Sequence, residues 1–153
     1  MTAKKNDWSL WMKNMILLID TNVILDYLIN REPFADAACE ILRCCVEKRI
    51  KGYVAAHSIA DIFYILRKHF SSAERRKMLR DFCELIDICG LQKIQIANAL
   101  ANENFNDLED CIQAECAKSI QADYIVTRNI KDFVNSPITA ILPEELLRIM
   151  ESV

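Results

Sequence analysis

Short apolar runs alternate with longer stretches whose apolar residues recur every three or four positions, and this alternation organises the chain. Ile16–Ile19 has the length and continuity of a buried parallel strand. Residues 22–28 read as a short helix. Over 34–48, Ala37, Ala38, Ile41, Leu42, Cys45 and Val46 fall at helical spacing behind Pro33. A second strand is expected over 52–56. Ser58 is placed to cap a helix carrying Ile59, Ile62, Phe63, Ile65 and Leu66. The run Ser71-Ser72-Ala73-Glu74 is a capping-box pattern, and the helix it opens is expected to reach about Ile88, where Gly90 stops it. A third strand is expected over 94–96, a short helix over 98–101, a loop over 104–106 and a helix over 107–120. Tyr124–Val126 reads as a strand, 138–142 as the last one, and Pro143 opens a C-terminal helix.

Helices alternating with strands predict an α/β domain of three layers, α/β/α, around a mainly parallel sheet. Residues 1–14 read as an N-terminal extension, with Trp8 and Trp11 packing on the surface, and 15–153 as one domain. The 153 residues are 52% apolar and 27% charged, enough for a core and for a soluble surface. No apolar run approaches the roughly 20 residues of a membrane span. The polar start MTAKKNDWSLWMKN lacks the apolar segment of a secretory leader, so a cytoplasmic protein is expected. The seven cysteines have no zinc spacing and fall mostly on apolar helix positions, which predicts reduced, buried thiols. A net charge of −3 argues against binding nucleic acid by charge alone.

The acidic residues carry the candidate chemistry. Asp20 closes the apolar run MILLI, Asp61 interrupts the apolar helix IADIFYIL, and Asp107 and Asp110 lie one turn apart. Asp132 follows the run YIV and the turn Thr127-Arg128-Asn129. In open α/β sheets, sites form beyond the carboxyl ends of strands, so these acids are positioned to meet. Three or four carboxylates suit magnesium or manganese, hard cations that take oxygen ligands, and the chemistry such a site supports is phosphodiester hydrolysis. Each acid also has an ordinary reading. Asp20 fits a helix N-cap as well as a ligand, Asp107 is a good N-cap, Asp110 suits a first helical turn, and Asp132 fits a turn. The basic residues Arg67, Lys68, Arg75, Arg76, Lys77 and Arg80 fit a solvated helix face, whereas Arg128 is nearer the acids and is the better candidate for a substrate phosphate. His57 and His69 are expected to be structural or surface residues.

In their order, LLIDTNVILDYL, AAHSIADIFYIL, NDLEDCIQAECA and ADYIVTRNIKDF resemble the successive motifs of PIN-domain nucleases, over about residues 15–150. The resemblance implies a three-layer fold with a parallel sheet and a magnesium- or manganese-dependent endoribonuclease. It further implies a toxin like the VapC half of VapBC pairs, with a cognate antitoxin as partner and a homodimer as its assembly. By position, Asp20 and Asp110 match direct metal ligands. Asp61 matches an acid that is Glu in many relatives, and its shorter side chain is expected to reach metal through water. Thr21 and Asn22 match the polar residues that hold the loop, Asp107 an additional supporting acid, and Thr127 a hydroxyl that positions the cleft. Asn129 stands where many relatives carry aspartate, giving TRN for TRD, and Asp132 is the residue expected to supply the missing charge as catalytic acid and ligand. The alternative the sequence leaves open is a catalytically weak PIN fold acting through RNA or protein contacts. A haloacid-dehalogenase-like phosphatase would need aspartate two residues after Asp20, where Asn22 stands.

Overall fold

The computed structural model describes residues 5–152, with side chains described from residue 10 onward. The packing expected of Trp8 therefore lies outside the described side chains. The extension contains a helix, α1 (Lys5–Asn14), whose Met12 packs on the core of the domain.

Five parallel strands succeed it: β1 (Ile16–Ile19), β2 (Lys51–Ala55), β3 (Asp87–Cys89), β4 (Tyr124–Val126) and β5 (Ala140–Ile141). Their order across the sheet is β3-β2-β1-β4-β5. Pairing is in register at Leu17 with Gly52, Leu18 with Ile125, Tyr53 with Asp87 and Ile125 with Ala140. Alternation along β1 sends Leu17 and Ile19 to one face and Ile16 and Leu18 to the other, as period-two geometry requires. On the first face the core is built with α2 (Thr21–Leu28), α3 (Ala35–Val46), α4 (Ala56–Ile65), α5 (Ser72–Leu85) and α8 (Pro143–Glu151). On the second it is closed chiefly by α7 (Leu108–Ser119), through Ala114, Cys116 and Ala117, with α6 (Lys93–Ala101) packed on α7. The three-layer α/β/α architecture with an all-parallel sheet is as the alternating pattern predicts. All seven cysteines are free thiols, and five are buried.

Four expectations need correction. The third strand is β3, at Asp87–Cys89, and residues 94–96 lie inside α6. Asp87 and Ile88 are exposed on this three-residue edge strand, and Phe82, Leu85, Ile86 and Cys89 keep helical spacing through it, so the run reads as a continuation of the helix. The Ile-Gln-Ile alternation is instead part of a helical turn in which the Gln95 side chain accepts the Gln92 N–H. Helix α5 ends at Leu85 because Ile86 turns to extended backbone (φ −142°, ψ 149°), and Gly90 has no part in stopping it. Ser58 does not cap α4, which begins two residues earlier at Ala56; it is fully buried in the first turn and accepts a hydrogen bond from Thr21 Oγ1 at 2.9 Å. The last strand spans only two of the five residues expected. The capping box at Ser71 and Glu74 forms as read.

At Gly52 the β2 backbone lies directly against core side chains. A Cβ there would meet Cys45 Sγ at 2.5 Å and both Ile19 Cδ1 and Ile86 Cδ1 at 3.3 Å. Gly52→Ala is expected to destabilise the fold by about 1–3 kcal/mol through overpacking, read as an earlier urea midpoint at unchanged slope.

Candidate metal centre

The chain builds β1, β2 and β3 in one direction across the sheet, then returns to lay β4 and β5 on the other side of β1. The neighbouring carboxyl ends of β1 and β4 are therefore the switch point, where loops diverge and leave a crevice. Asp20 follows β1 there and Thr127 follows β4.

Asp20 occupies the N-cap position of α2, but its carboxylate makes no capping bond. It is withheld from the helix and turned into the crevice. Gln113 Nε2 donates to Oδ1 at 2.8 Å, and Thr127 Oγ1 donates to Oδ2 at 2.9 Å. Asp20, Thr127 and Gln113 are all buried, at 4%, 0% and 1% exposure, so this geometry is fixed by packing. Burial pushes the Asp20 carboxyl above its ordinary value, the bonds from Gln113 and Thr127 pull it back, and the charge of Asp132 adds to the rise. Thr127 Oγ1 also accepts the Asn129 N–H at 2.9 Å, which anchors the 3₁₀ turn Ile130–Phe133 carrying Asp132.

The remaining acids arrive on two helices. Asp61 projects from α4. Asp107 does act as an N-cap: its Oδ1 accepts the N–H groups of Glu109 at 2.8 Å and Asp110 at 3.3 Å. That cap fixes the first turn of α7 and with it the positions of Glu109 and Asp110; Gln113 lies one turn further along the same helix. The result is a cleft of about 350 Å³ lined by six carboxylates, those of Asp20, Asp61, Asp107, Glu109, Asp110 and Asp132, beside Thr21, Asn22, Gln113 and Asn129. Among the described residues, none that lines it is basic. A larger cleft of about 460 Å³ opens by Lys51 and Asp87, at the opposite ends of β2 and β3, and has no comparable concentration of acids.

Charge without a counter-charge shows in the acids themselves. Burial, and then the neighbouring carboxylates, push Glu109 and Asp110 up to about 7. A hard divalent cation fits this donor set, because it would meet oxygen ligands and relieve the repulsion. In metal-free protein these shifts set the sign of the pH dependence. Folded-state values above the unfolded ones mean that stability is fully present below about pH 4. It is lost as pH rises through about 7. Melting temperature measured in EDTA is expected to fall across that window, and Asp110→Asn is expected to flatten the fall.

The structure thus brings Asp20, Thr21, Asn22, Asp61, Asp107, Asp110, Asn129 and Asp132 to one cleft. It does not bring Arg128 there. The Arg128 guanidinium donates to Asp26 Oδ2 at 2.7 Å and Oδ1 at 3.1 Å, and lies 4.0 Å from the Phe34 ring centroid. Asp26, 1% exposed, also accepts from Arg31 at 3.2 Å. The Arg67 guanidinium lies 3.6 Å from the ring centroid of Tyr64, a residue that lines the cleft. Glu109, Gln113 and Asp26 have no role in the sequence pattern read above, and His57 is expected there to be structural or at the surface. Gln113 stands three residues after Asp110, on the same helix face, and Asp26 interrupts the apolar run Val-Ile-Leu-Asp-Tyr-Leu much as Asp61 interrupts its own; both signals were available. His57 falls four residues before Asp61, and burial pushes its imidazole down despite the nearby Asp61 charge. Among the described residues, His57, Asp61 and Glu109 form a compact triad whose ligand atoms all lie within 4.8 Å of one another.

Comparison with known proteins agrees with this architecture. The chain is similar in fold to VapBC2 from Rickettsia felis bound to a promoter DNA fragment, with 19% identity, a TM-score of 0.63, and coverage of 84% of this chain and 98% of that one. It is similar to a toxin–antitoxin complex from Klebsiella pneumoniae at 18% identity and a TM-score of 0.64, covering 83% and 97%. It is also similar to the Mycobacterium tuberculosis sarcin–ricin loop cleaving toxin VapC20 at 10% identity and a TM-score of 0.65, covering 83% and 99%. No curated protein matches the chain. The family model of the PIN domain matches residues 16–131, from the first strand to the turn that carries Asp132, and the chain belongs to the PIN-domain family.

Proposed function

We propose that the chain is an endoribonuclease dependent on Mg²⁺ or Mn²⁺, hydrolysing RNA phosphodiester bonds as the toxin half of a VapBC-type pair. The observation that carries this reading is the Asp20 carboxylate, buried at the switch point, withheld from its helix and facing five other carboxylates. Support also comes from the neighbours: one is described as cleaving the sarcin–ricin loop, and another is a toxin–antitoxin complex.

Asp20, Asp110 and Asp132 would hold the cation, with Asp61 as the fourth catalytic acid. When bound, the cation supplies Lewis-acid polarisation of the phosphodiester and a more acidic water. The chain's own part is positioning. Gln113 and Thr127 fix both oxygens of Asp20, so its lone pairs enter the cleft in one orientation. Asp107 holds the turn that presents Asp110, and Thr127 holds the turn of Asn129 and Asp132. Thr21 ties the first turn of α2 to α4 through Ser58. Six carboxylates repel a phosphodiester, so RNA enters this cleft only with its charge compensated. The expected partners are RNA, a cognate antitoxin covering the cleft and a second copy of the chain, in the cytoplasm. Among the described residues no helix is long and apolar enough to cross a membrane.

The test is cleavage of a mixed pool of structured RNAs by purified protein. Cleavage with Mn²⁺ or Mg²⁺ that stops in EDTA is the expected result. Folded protein that leaves the pool intact under all three conditions would overturn the nuclease reading and favour a role in binding.

A further inference from the structure

The triad at the cleft rim has chemistry the other acids lack. His57 and Asp61 are four residues apart on α4 and so share a helix face, and Glu109 comes from the first turn of α7. Their ligand atoms lie within 4.8 Å of one another, close enough to face one ion. A second, separate observation concerns the ring. Both nitrogens of His57, Nδ1 and Nε2, are shielded from solvent and have no hydrogen-bond partner. An imidazole in that state leaves a donor and an acceptor unsatisfied, which buried polar groups rarely tolerate. One such nitrogen beside two carboxylates offers three donor atoms to a cation. The Asp20 and Asp110 position, by contrast, offers only oxygen.

We propose that His57, Asp61 and Glu109 form a second cation position at the rim of the acidic cleft, selective for an imidazole-favouring divalent ion of the zinc class. Nitrogen ligation favours zinc over magnesium, since magnesium holds to oxygen and to its own water. The two positions then differ in kind: an oxygen-only site for Mg²⁺ or Mn²⁺, and a mixed nitrogen–oxygen site for zinc. Asp61 is common to both neighbourhoods, so zinc on His57 changes the charge facing the oxygen-only site. The inference rests on the cleft being a cation site and not on its cutting RNA.

The chain has only two histidines, so their ring resonances are readily assigned with His69→Gln. Zinc added to the full chain at up to one equivalent is expected to shift the His57 ring signals and leave those of His69 in place. Zinc affinity, read by competition with a chromophoric chelator, is expected to fall at least about tenfold in His57→Gln and to hold in His69→Gln. The exposed Cys39 thiol could also take zinc, and binding there would survive in His57→Gln without moving the His57 ring. His57 signals that stay still through one equivalent would overturn the proposal, and this wild-type readout stands even if His57→Gln fails to fold. The nuclease reading fails separately: inactive protein whose His57 moves with zinc overturns that reading alone, and active protein with a silent His57 overturns this one alone.

Discussion

Asp20→Asn is expected to reduce RNA cleavage in Mn²⁺ to the level seen in EDTA while leaving the protein folded. The two halves of that expectation have different causes. The charge facing the cation is lost, and no other carboxylate in the cleft is held on both oxygens as Asp20 is. The fold survives because the amide can use the same partners. Its oxygen can accept from Thr127, and once the Gln113 amide flips to turn Oε1 in place of Nε2 toward it, its NH₂ can donate to Gln113 Oε1, an acceptor that has no partner in the native protein. A buried carboxyl already pushed up by desolvation is also removed. Stability of the variant in EDTA should lie within about 1 kcal/mol of the wild type. A variant that cleaves like the wild type would remove Asp20 from the site. One that unfolds would show that the residue is structural first.

Arg128→Met is expected to be the most destabilising change near the cleft, by about 2–3 kcal/mol, because it leaves a buried carboxylate short of charge. Asp26 would retain only Arg31, which is 36% exposed and contacts a single oxygen at 3.2 Å. For a chain of this size the melting temperature should drop by about 5–10 °C. The double variant Asp26→Leu with Arg128→Met should recover much of that loss, since it removes both charges from the interior together. If Arg128 instead serves substrate phosphate, the single variant would melt like the wild type and raise KM for RNA. The ion pair also has a positional consequence. It links α2 to the strand-end loop that carries Thr127 and Asn129.

The strand ends and their acids were legible because a parallel strand buried on both faces reads as a short apolar run, and the chain must turn directly after it. Asp20 and Thr127 could be placed on that basis, and Asp107 as a helix start on capping chemistry alone. The third strand was not legible: Phe82, Leu85, Ile86 and Cys89 keep helical spacing, so its three residues read as the continuation of α5. The direction of Arg128 could not be read because proximity in sequence says where a residue starts, not which buried carboxylate claims it. Asp26 makes that claim from a helix more than a hundred residues upstream. Gln113 was passed over because a neutral amide on a buried helix face looks like any core polar residue until its partner is known. The resemblance to PIN-domain motifs named the acids, and neither it nor the residue pattern pointed to Glu109 or His57, which become a group only when α4 and α7 face each other.

Both the nuclease chemistry and the second cation position depend on the acidic cleft being a divalent-cation site. The most direct test is calorimetric titration of Mn²⁺ into metal-free protein at pH 7.5, for the wild type and Asp110→Asn side by side. Saturable binding in the wild type, weakened at least about tenfold in the variant, is the result the geometry predicts. Folded wild-type protein that takes up no Mn²⁺ at millimolar concentration would contradict it, and the six carboxylates would then have to be explained without a cation.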